Sequence, residues 1–281
     1  MRRMLSLLAL GICANVFVGP PVSAQTAPEV TLRRFDCGNA VAPNDVSARF
    51  SDTYAYKELK LQLTFSCYLI KHGDDYMVWD AGFAPGSTPN APKVSLIEQL
   101  AQLELTADQI KYIGVSHYHG DHVGQVGSFP KSTLLIGKGD WEALVAAAKT
   151  PPGTVTFGAP NPVSFAHWIK GEGKVEPVTL DKDVFGDGTV VMLDTPGHTP
   201  GHHALLVRLK ETGAVLLTGD LAHFRENYEG TGVPTFNTDR AQTLASFDRF
   251  KKIAANLNAT VIIQHDPRDV GKLPKFPAAA K

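Results

Sequence analysis

One stretch governs what this chain can fold into: Val115-Ser116-His117-Tyr118-His119-Gly120-Asp121-His122, directly behind the apolar run Ile110 to Val115. Three histidines and a carboxylate within six positions is a density of metal-capable groups that packing alone has no reason to assemble. Side chains of an extended segment alternate, so His117 and His119 project to the same side and two imidazoles can meet one cation. Gly120 then lets the backbone turn, and Asp121 and His122 can address a second position beside the first. A compatible fold must bury Ile110 to Val115 and release the histidines at its carboxyl end, where ligand sites of α/β sheets lie.

Three further strings follow the same rule. Val191-Met192-Leu193 leads into Asp194-Thr195-Pro196-Gly197-His198-Thr199-Pro200-Gly201-His202, Val215-Leu216-Leu217 into Thr218-Gly219-Asp220, and Val261-Ile262-Ile263 into Gln264-His265-Asp266. Zinc accepts imidazole nitrogen and carboxylate oxygen, and two adjacent ions can share one carboxylate. Singly, His198 and His265 are as readily structural histidines and Asp220 a turn residue; recurrence at strand ends joins them to the first string. His202 and His203 read as structural, with support of the ligands from behind as the lesser alternative. Asp80, closing Tyr76 to Trp79, reads either as a turn aspartate or as a carboxylate that supports the site from behind its ligands.

Together the strings resemble the His-x-His-x-Asp-His signature and partner ligands of the metallo-β-lactamase superfamily, over roughly Thr31 to Val270. The resemblance implies an αββα sandwich of two packed mixed β-sheets with helices on the outer faces. It implies His117, His119 and His198 on a first ion, Asp121, His122 and His265 on a second, and Asp220 as the bridge. Two Zn2+ per chain are expected, with Fe, Co or Mn as alternatives on the same donors. Zinc lowers the pKa of bound water, so the implied reaction is hydrolysis by a metal-bridging hydroxide, with Asp121 carrying a proton to the leaving group.

Thr218 to His223, Val233-Pro234-Thr235-Phe236-Asn237-Thr238-Asp239 and Gln264-His265-Asp266 look like the N-acyl homoserine lactonase branch, which implies opening of an acyl lactone ring in quorum quenching. A bridging aspartate beside His265 is unlike the best-known zinc β-lactamases. Many of these lactonases carry a tyrosine three residues after the bridging aspartate; here that place is His223, whose imidazole can donate the same hydrogen bond to substrate, with a solvated loop residue as the alternative. The acyl chain is expected against Phe224 or Phe236. A β-lactamase, a broad lactone or ester hydrolase, and an iron-dependent redox enzyme such as a sulfur dioxygenase are alternatives on the same donors. A non-enzymatic metal-binding scaffold would not need an open dinuclear site.

Composition bounds these readings. With 43% hydrophobic and 20% charged residues, the 281-residue chain can build a sizeable core, and one hydrolase domain over 25–281 is expected. A net charge of -1 supplies no field for phosphate backbones, so nucleic acid is excluded as a partner and a small-molecule acyl lactone is expected; the oligomeric state stays open, a dimer included. Met1-Arg2-Arg3, the apolar Leu5 to Val18 and the small Val22-Ser23-Ala24 have the layout of a secretory signal peptide over residues 1–24, so a periplasmic or secreted location is expected. That apolar run, broken by Asn15 and stopped by Pro20-Pro21, is short for a membrane anchor, so no membrane association is expected after cleavage. Cys13 falls in the removable segment, leaving Cys37 and Cys67 either as a disulfide or as two buried thiols on neighbouring strands.

Along the chain, alternation predicts strands at Glu29 to Phe35, Leu61 to Ile70 and Tyr76 to Trp79, the last two joined by a hairpin at His72 to Asp75, with Cys37 to Lys60 as a loop over the site. Helices are predicted at Ser95 to Leu103, from a Thr106-x-x-Gln109 capping box, and at Asp140 to Lys149, with a strand at Thr133 to Ile136. Pro151 to Pro162 reads as a surface excursion. Strands follow at Val175 to Leu180, Val190 to Leu193, His203 to Leu209, Val215 to Leu217 and Val261 to Ile263, with a helix from Thr238, its expected N-cap, to Leu257 carrying Leu244, Phe247, Phe250 and Ile253 as its core stripe.

Overall fold

The computed structural model describes residues 28–150 and 158–281; the expected signal peptide and the first part of the Pro/Gly excursion lie outside them. From the N-terminal side come β1 (Val30–Asn39), a short ribbon of β2 (Asn44–Asp45) and β3 (Lys60–Leu61), β4 (Thr64–His72) and β5 (Asp75–Trp79). Then follow α1 (Leu96–Ala101), β6 (Ile110–Gly114), α2 (Gly120–Val123), β7 (Thr133–Gly137), α3 (Lys138–Ala147), α4 (Ala166–Ile169) and β8 (Val175–Val178). The second half holds β9 (Lys182–Asp183), β10 (Val190–Asp194), β11 (His203–Leu209), β12 (Gly213–Leu217), α5 (Arg225–Gly230), α6 (Arg240–Asn256) and β13 (Thr260–Ile262).

The strands form two mixed sheets, ordered β1-β4-β5-β6-β7-β8 and β13-β12-β11-β10-β9. In the first, β1, β4 and β5 pair antiparallel and β5 through β8 parallel; in the second only β12 and β13 run parallel. Period-two alternation sorts each strand between two cores. Tyr68 and Ile70 of β4 meet Val207, Val215 and Leu217 of the other sheet, whereas Phe65, Cys67 and Leu69 face outward onto Leu96 and Leu100 of α1. Leu216 of β12 likewise turns away from its neighbours and packs on Phe247 and Phe250 of α6. Helices therefore close both outer faces, and the layering is the expected αββα sandwich, each large buried side chain contributing about 1.5–3 kcal/mol.

Some local expectations change. The Thr106 capping box closes on Gln109 but encloses only a single 3-10 turn, Ala107–Gln109, because the chain enters β6 at Ile110. At α6 the N-cap is Asp239, which accepts from Gln242 N; Thr238 instead donates its hydroxyl to Gly197 O. The two cysteines form a disulfide, Cys37–Cys67, with Cα atoms 5.9 Å apart across β1 and β4, which decides between the two sequence readings. Among the described residues no helix is long and apolar enough to cross a membrane.

Candidate metal centre

Four strand ends converge. β6 runs out into Ser116 and His117, β10 leads to His198, β12 to Asp220 and β13 to His265. His119 caps α2 in extended conformation, and the first turn of that helix presents Asp121 and His122. At Gly219 the backbone takes φ +53°, and a Cβ there would lie 2.6 Å from His202 Nε2, so glycine is needed for Asp220 to turn inward.

The donors fall into two groups around one carboxylate. His117 Nε2, His119 Nδ1 and His198 Nε2 stand 2.9, 3.0 and 3.2 Å from one another, with Asp220 Oδ2 3.6 Å from His117 and 3.3 Å from His198. On the other side, His122 Nε2 and His265 Nε2 are 3.2 Å apart, both near Asp220 Oδ1 at 3.1 and 2.8 Å, with Asp121 Oδ2 3.8 and 3.7 Å from the two rings. Four donors at zinc-binding distance from one tetrahedral ion stand roughly 3.3–3.6 Å apart, close to these spacings. Asp220 Oδ1 is buried and, despite these short approaches, accepts no aligned hydrogen bond. Nitrogens and oxygens converging in this way fit a cation at each group, so the side chains present can hold two metal ions.

The ring nitrogens turned away from the centre agree with that fit. His119 Nε2 donates to Gly158 O at 3.2 Å, His198 Nδ1 to Asn237 Oδ1 at 2.8 Å, His265 Nδ1 to Thr64 O at 2.9 Å, and His122 Nδ1 to Asp80 Oδ2 at 2.9 Å. His117 Nδ1 meets Ser116 Oγ at 3.0 Å. Each outward hydrogen bond orients its ring so that the inward nitrogen points at the centre and can ligate once it carries no proton. Asp80 sits at φ +58° and is fixed by Ser116 N, Ser116 Oγ and Gln264 Nε2, so it is the supporting carboxylate of the sequence reading and not a plain turn residue.

Charge divides the groups. Burial pushes His117 well below the ordinary imidazole range and His119 down to about 3. Burial acts the same way on His122, but Asp220, Asp121 and Asp80 outweigh it and hold that ring well above the range; His265 is raised because Asp220 and then Asp121 outweigh its burial. For Asp220 burial alone would raise the carboxyl, yet His265, His223, His122 and His117 hold it well below the usual carboxylate range. Burial lowers His223, against the pull of Asp220.

A cavity of about 590 Å³ opens onto the cluster, lined at its inner end by His119, Asp121, Asp220, His223 and His265. Phe50, Phe65, Phe83 and Phe236 give it an aromatic wall, and Phe50 of the β2–β3 loop packs edge-on against His223 at 4.9 Å, so this loop does stand over the site. His223 is not a solvated loop residue: it is buried, 3.1 Å from Asp220 Oδ2. Phe224, by contrast, is fully buried against Val46 and Tyr56 and does not line the cavity, which corrects the expectation of an acyl-chain contact there. The described end of the Pro/Gly excursion is also more than surface, since Gly158, Ala159 and Asn161 line the cavity.

Sequence reasoning missed two supporting residues and ranked a third too low. His202, for which a role behind the ligands was the lesser reading, accepts the Asp220 N–H at Nε2 (3.0 Å) while Nδ1 donates to Thr195 O, so it fixes the backbone of the shared carboxylate; His203 stays structural, bonded to Gly201 O and Leu180 O. Asn237 orients His198, its amide held in turn by Thr243 Oγ1. Asp140 is buried and accepts from Tyr118 N, Thr199 Oγ1 and Gly201 N, although burial still pushes it up to about 7. Its signal was available: a carboxylate just after the apolar β7, the pattern that flagged Asp220.

The profile of the metallo-beta-lactamase superfamily matches residues 65–265, a span that takes in every one of these donors. The chain belongs to the metallo-beta-lactamase superfamily. Together with its relatives, named hydrolases of that superfamily, this makes it a metal-dependent hydrolase. An N-acyl homoserine lactonase of Rhizobium radiobacter is 32% identical over 184 residues, covering 64% of this chain and 67% of that protein. The solved structure of a quorum-quenching N-acyl homoserine lactone lactonase superposes with TM-score 0.73 at 23% identity, covering 90% of this chain and 99% of the other. That of a dizinc quorum-quenching lactonase in complex with its product does so with TM-score 0.66 at 19% identity, covering 91% of each chain. At those identities the superfamily structures speak for the fold.

Proposed function

We propose that this chain is an exported dizinc lactonase that opens the ring of N-acyl homoserine lactones. The observation that carries the reading is the aromatic-walled cavity ending on a bridged two-group cluster, in a chain akin to named lactonases. In this reading His117, His119 and His198 hold one ion, Asp121, His122 and His265 the other, and Asp220 both. Zinc bound there would supply Lewis acidity and make a coordinated water acidic near neutral pH.

The chain's own residues account for the remainder of the reaction. Ring opening adds one water: the acyl carbon–ring oxygen bond breaks, a carboxylate forms, the ring oxygen leaves as a hydroxyl after taking one of the water's protons, and the other proton passes to solvent. Asp121, with 23% of its side chain exposed and lining the cavity, is placed to deliver that proton. His223 lines the same cavity and donates a hydrogen bond to the lactone carbonyl oxygen. Phe50 and Phe236 take the acyl chain and keep water from the ring. Export is supported by the buried Cys37–Cys67 disulfide, a bond that persists in oxidising compartments.

The decisive experiment is a panel on protein purified with two zinc equivalents: acyl lactones of several chain lengths, a β-lactam and a thioester. Turnover of the lactones at least about a hundredfold above the other two supports the reading; inert lactones beside a cleaved β-lactam or thioester would falsify the substrate and leave only the hydrolase.

A further inference from the structure

Asp140 lies in the first turn of α3, buried, outside the cavity lining and untouched by the chemistry above. Its Oδ2 accepts the Tyr118 N–H at 3.1 Å and the Thr199 hydroxyl at 2.9 Å, and its Oδ1 accepts the Gly201 N–H at 2.6 Å. Tyr118 stands between His117 and His119, and Thr199 directly follows His198. One carboxylate therefore ties together the two chain segments that carry the three-imidazole group. Among the described residues it makes no ion pair, an unfavourable burial that three convergent donors offset.

Glycines at the seam make the short tether fit. A Cβ on Gly137 would lie 1.8 Å from Gly201 O, one on Gly201 2.5 Å from Asp140 N, and one on Gly139 2.8 Å from the Pro200 carbonyl. The start of α3 is thus in backbone contact with the loop after His198, close enough for a side chain as short as aspartate to reach both ligand arms. In the second group His122 hangs directly on Asp80, which reaches the first group only through Ser116 and its contact with His117 Nδ1.

We propose that Asp140 is a positioning residue for the His117, His119 and His198 half of the centre, setting the separation of its two ligand arms and hence its affinity for a divalent cation. The inference rests on the two-ion reading of the site and not on the substrate. In Asp140→Asn an amide NH2 must face at least one of the three donors, which pushes one arm away.

The test strips the purified full-length chain with chelator and titrates Zn2+ against a chromophoric competitor. In a His265→Ala background, where the first half dominates binding, adding Asp140→Asn is expected to weaken the affinity 10–100-fold. In a His198→Ala background the same change should leave the affinity within about threefold. Thr199→Val, which removes a single donor without touching α3, should shift the first background in the same direction by less, and it carries the test if Asp140→Asn fails to fold. Equal weakening in both backgrounds, as a general loosening would produce, overturns the proposal; so do unchanged affinities, and so does a wild-type chain that takes up no zinc. A wild-type chain that binds two zincs yet spares lactones sinks only the substrate reading.

Discussion

The two halves of the centre set their imidazoles in different charge environments, although His265, like His119 and His198, ends its outward N–H on a neutral acceptor. In the first, the outward N–H groups of His119 and His198 end on neutral acceptors, Gly158 O and Asn237 Oδ1, and burial keeps His117 and His119 unprotonated. In the second, His122 is gripped between Asp80 on one side and Asp220 on the other, and the carboxylates around it and His265 favour the protonated rings in spite of burial. A desolvated trio of imidazoles is ready for a cation as it stands. A carboxylate-rich pair instead keeps protons where a cation would go, so metal and proton compete there.

Asp220 is where the two halves meet, and its loss should have the largest effect. Asp220→Asn is expected to cut lactone turnover by at least about 10²–10³-fold and to weaken metal uptake in both halves, measured by steady-state kinetics beside metal analysis. A variant that kept more than a tenth of wild-type turnover with both ions bound would show that the carboxylate is not shared.

Breaking one half alone comes next. Asp80→Asn removes the anion behind His122 and is expected to lower zinc affinity about 10–100-fold in a His198→Ala background, and by less in a His265→Ala background, where Asp80 acts only through Ser116 and its contact with His117. Asp140→Asn should show the reverse ranking. If both substitutions weaken the same half more, the division of supports between Asp80 and Asp140 is wrong.

The protons themselves give a smaller, graded signal. Near pH 7, zinc binding to the second half should release more protons than binding to the first, counted by calorimetry in buffers of differing ionisation heat. The signs follow from the shifts. His122 and His265 are raised, so their contribution to the stability of the metal-free chain is complete below the ordinary imidazole value and is lost as pH rises through their own values. Asp220 is lowered, so its contribution is present above the ordinary carboxylate value and disappears in acid as pH falls through the depressed one. The metal-free chain should accordingly melt lower at pH 9 than at pH 7, by roughly 2–4 °C per kcal/mol lost. Equal proton release from the two halves would erase the distinction.

The converging donors were more legible in the sequence than the residues that hold them, and the reason is local. His117, His119, Asp121 and His122 sit on one strand end whose periodicity is visible, and His198, Asp220 and His265 repeat that strand-end pattern. Asp140, Asn237 and His202 act through chain neighbours far away in sequence, as Asp140 does on Gly201 and His202 on Asp220, and no spacing encodes such a partner. The layering came from the superfamily resemblance and not from spacing, although the alternation of Val215 and Leu217 with Leu216, and the shared helix face of Phe247 and Phe250, are what such a sandwich requires. The helix expected after the Thr106 box and the Phe224 contact failed because each depended on where the chain goes next, into β6 in one case and under the Val46–Tyr56 cluster in the other.

His223 belongs to neither half, and it should show the mildest effect of all. It lies against Asp220 on one side and Phe50 on the other, where the chain's lactonase-like pattern would place a tyrosine. If its role is to donate to the lactone carbonyl, His223→Phe, which keeps the ring packing on Phe50, should lower kcat about tenfold while zinc content stays unchanged and KM moves by less than about twofold. His223→Tyr should recover most of that loss, because a phenol offers the same donor. A His223→Phe enzyme with wild-type kcat would reduce this histidine to a packing residue and leave carbonyl activation to the ions alone.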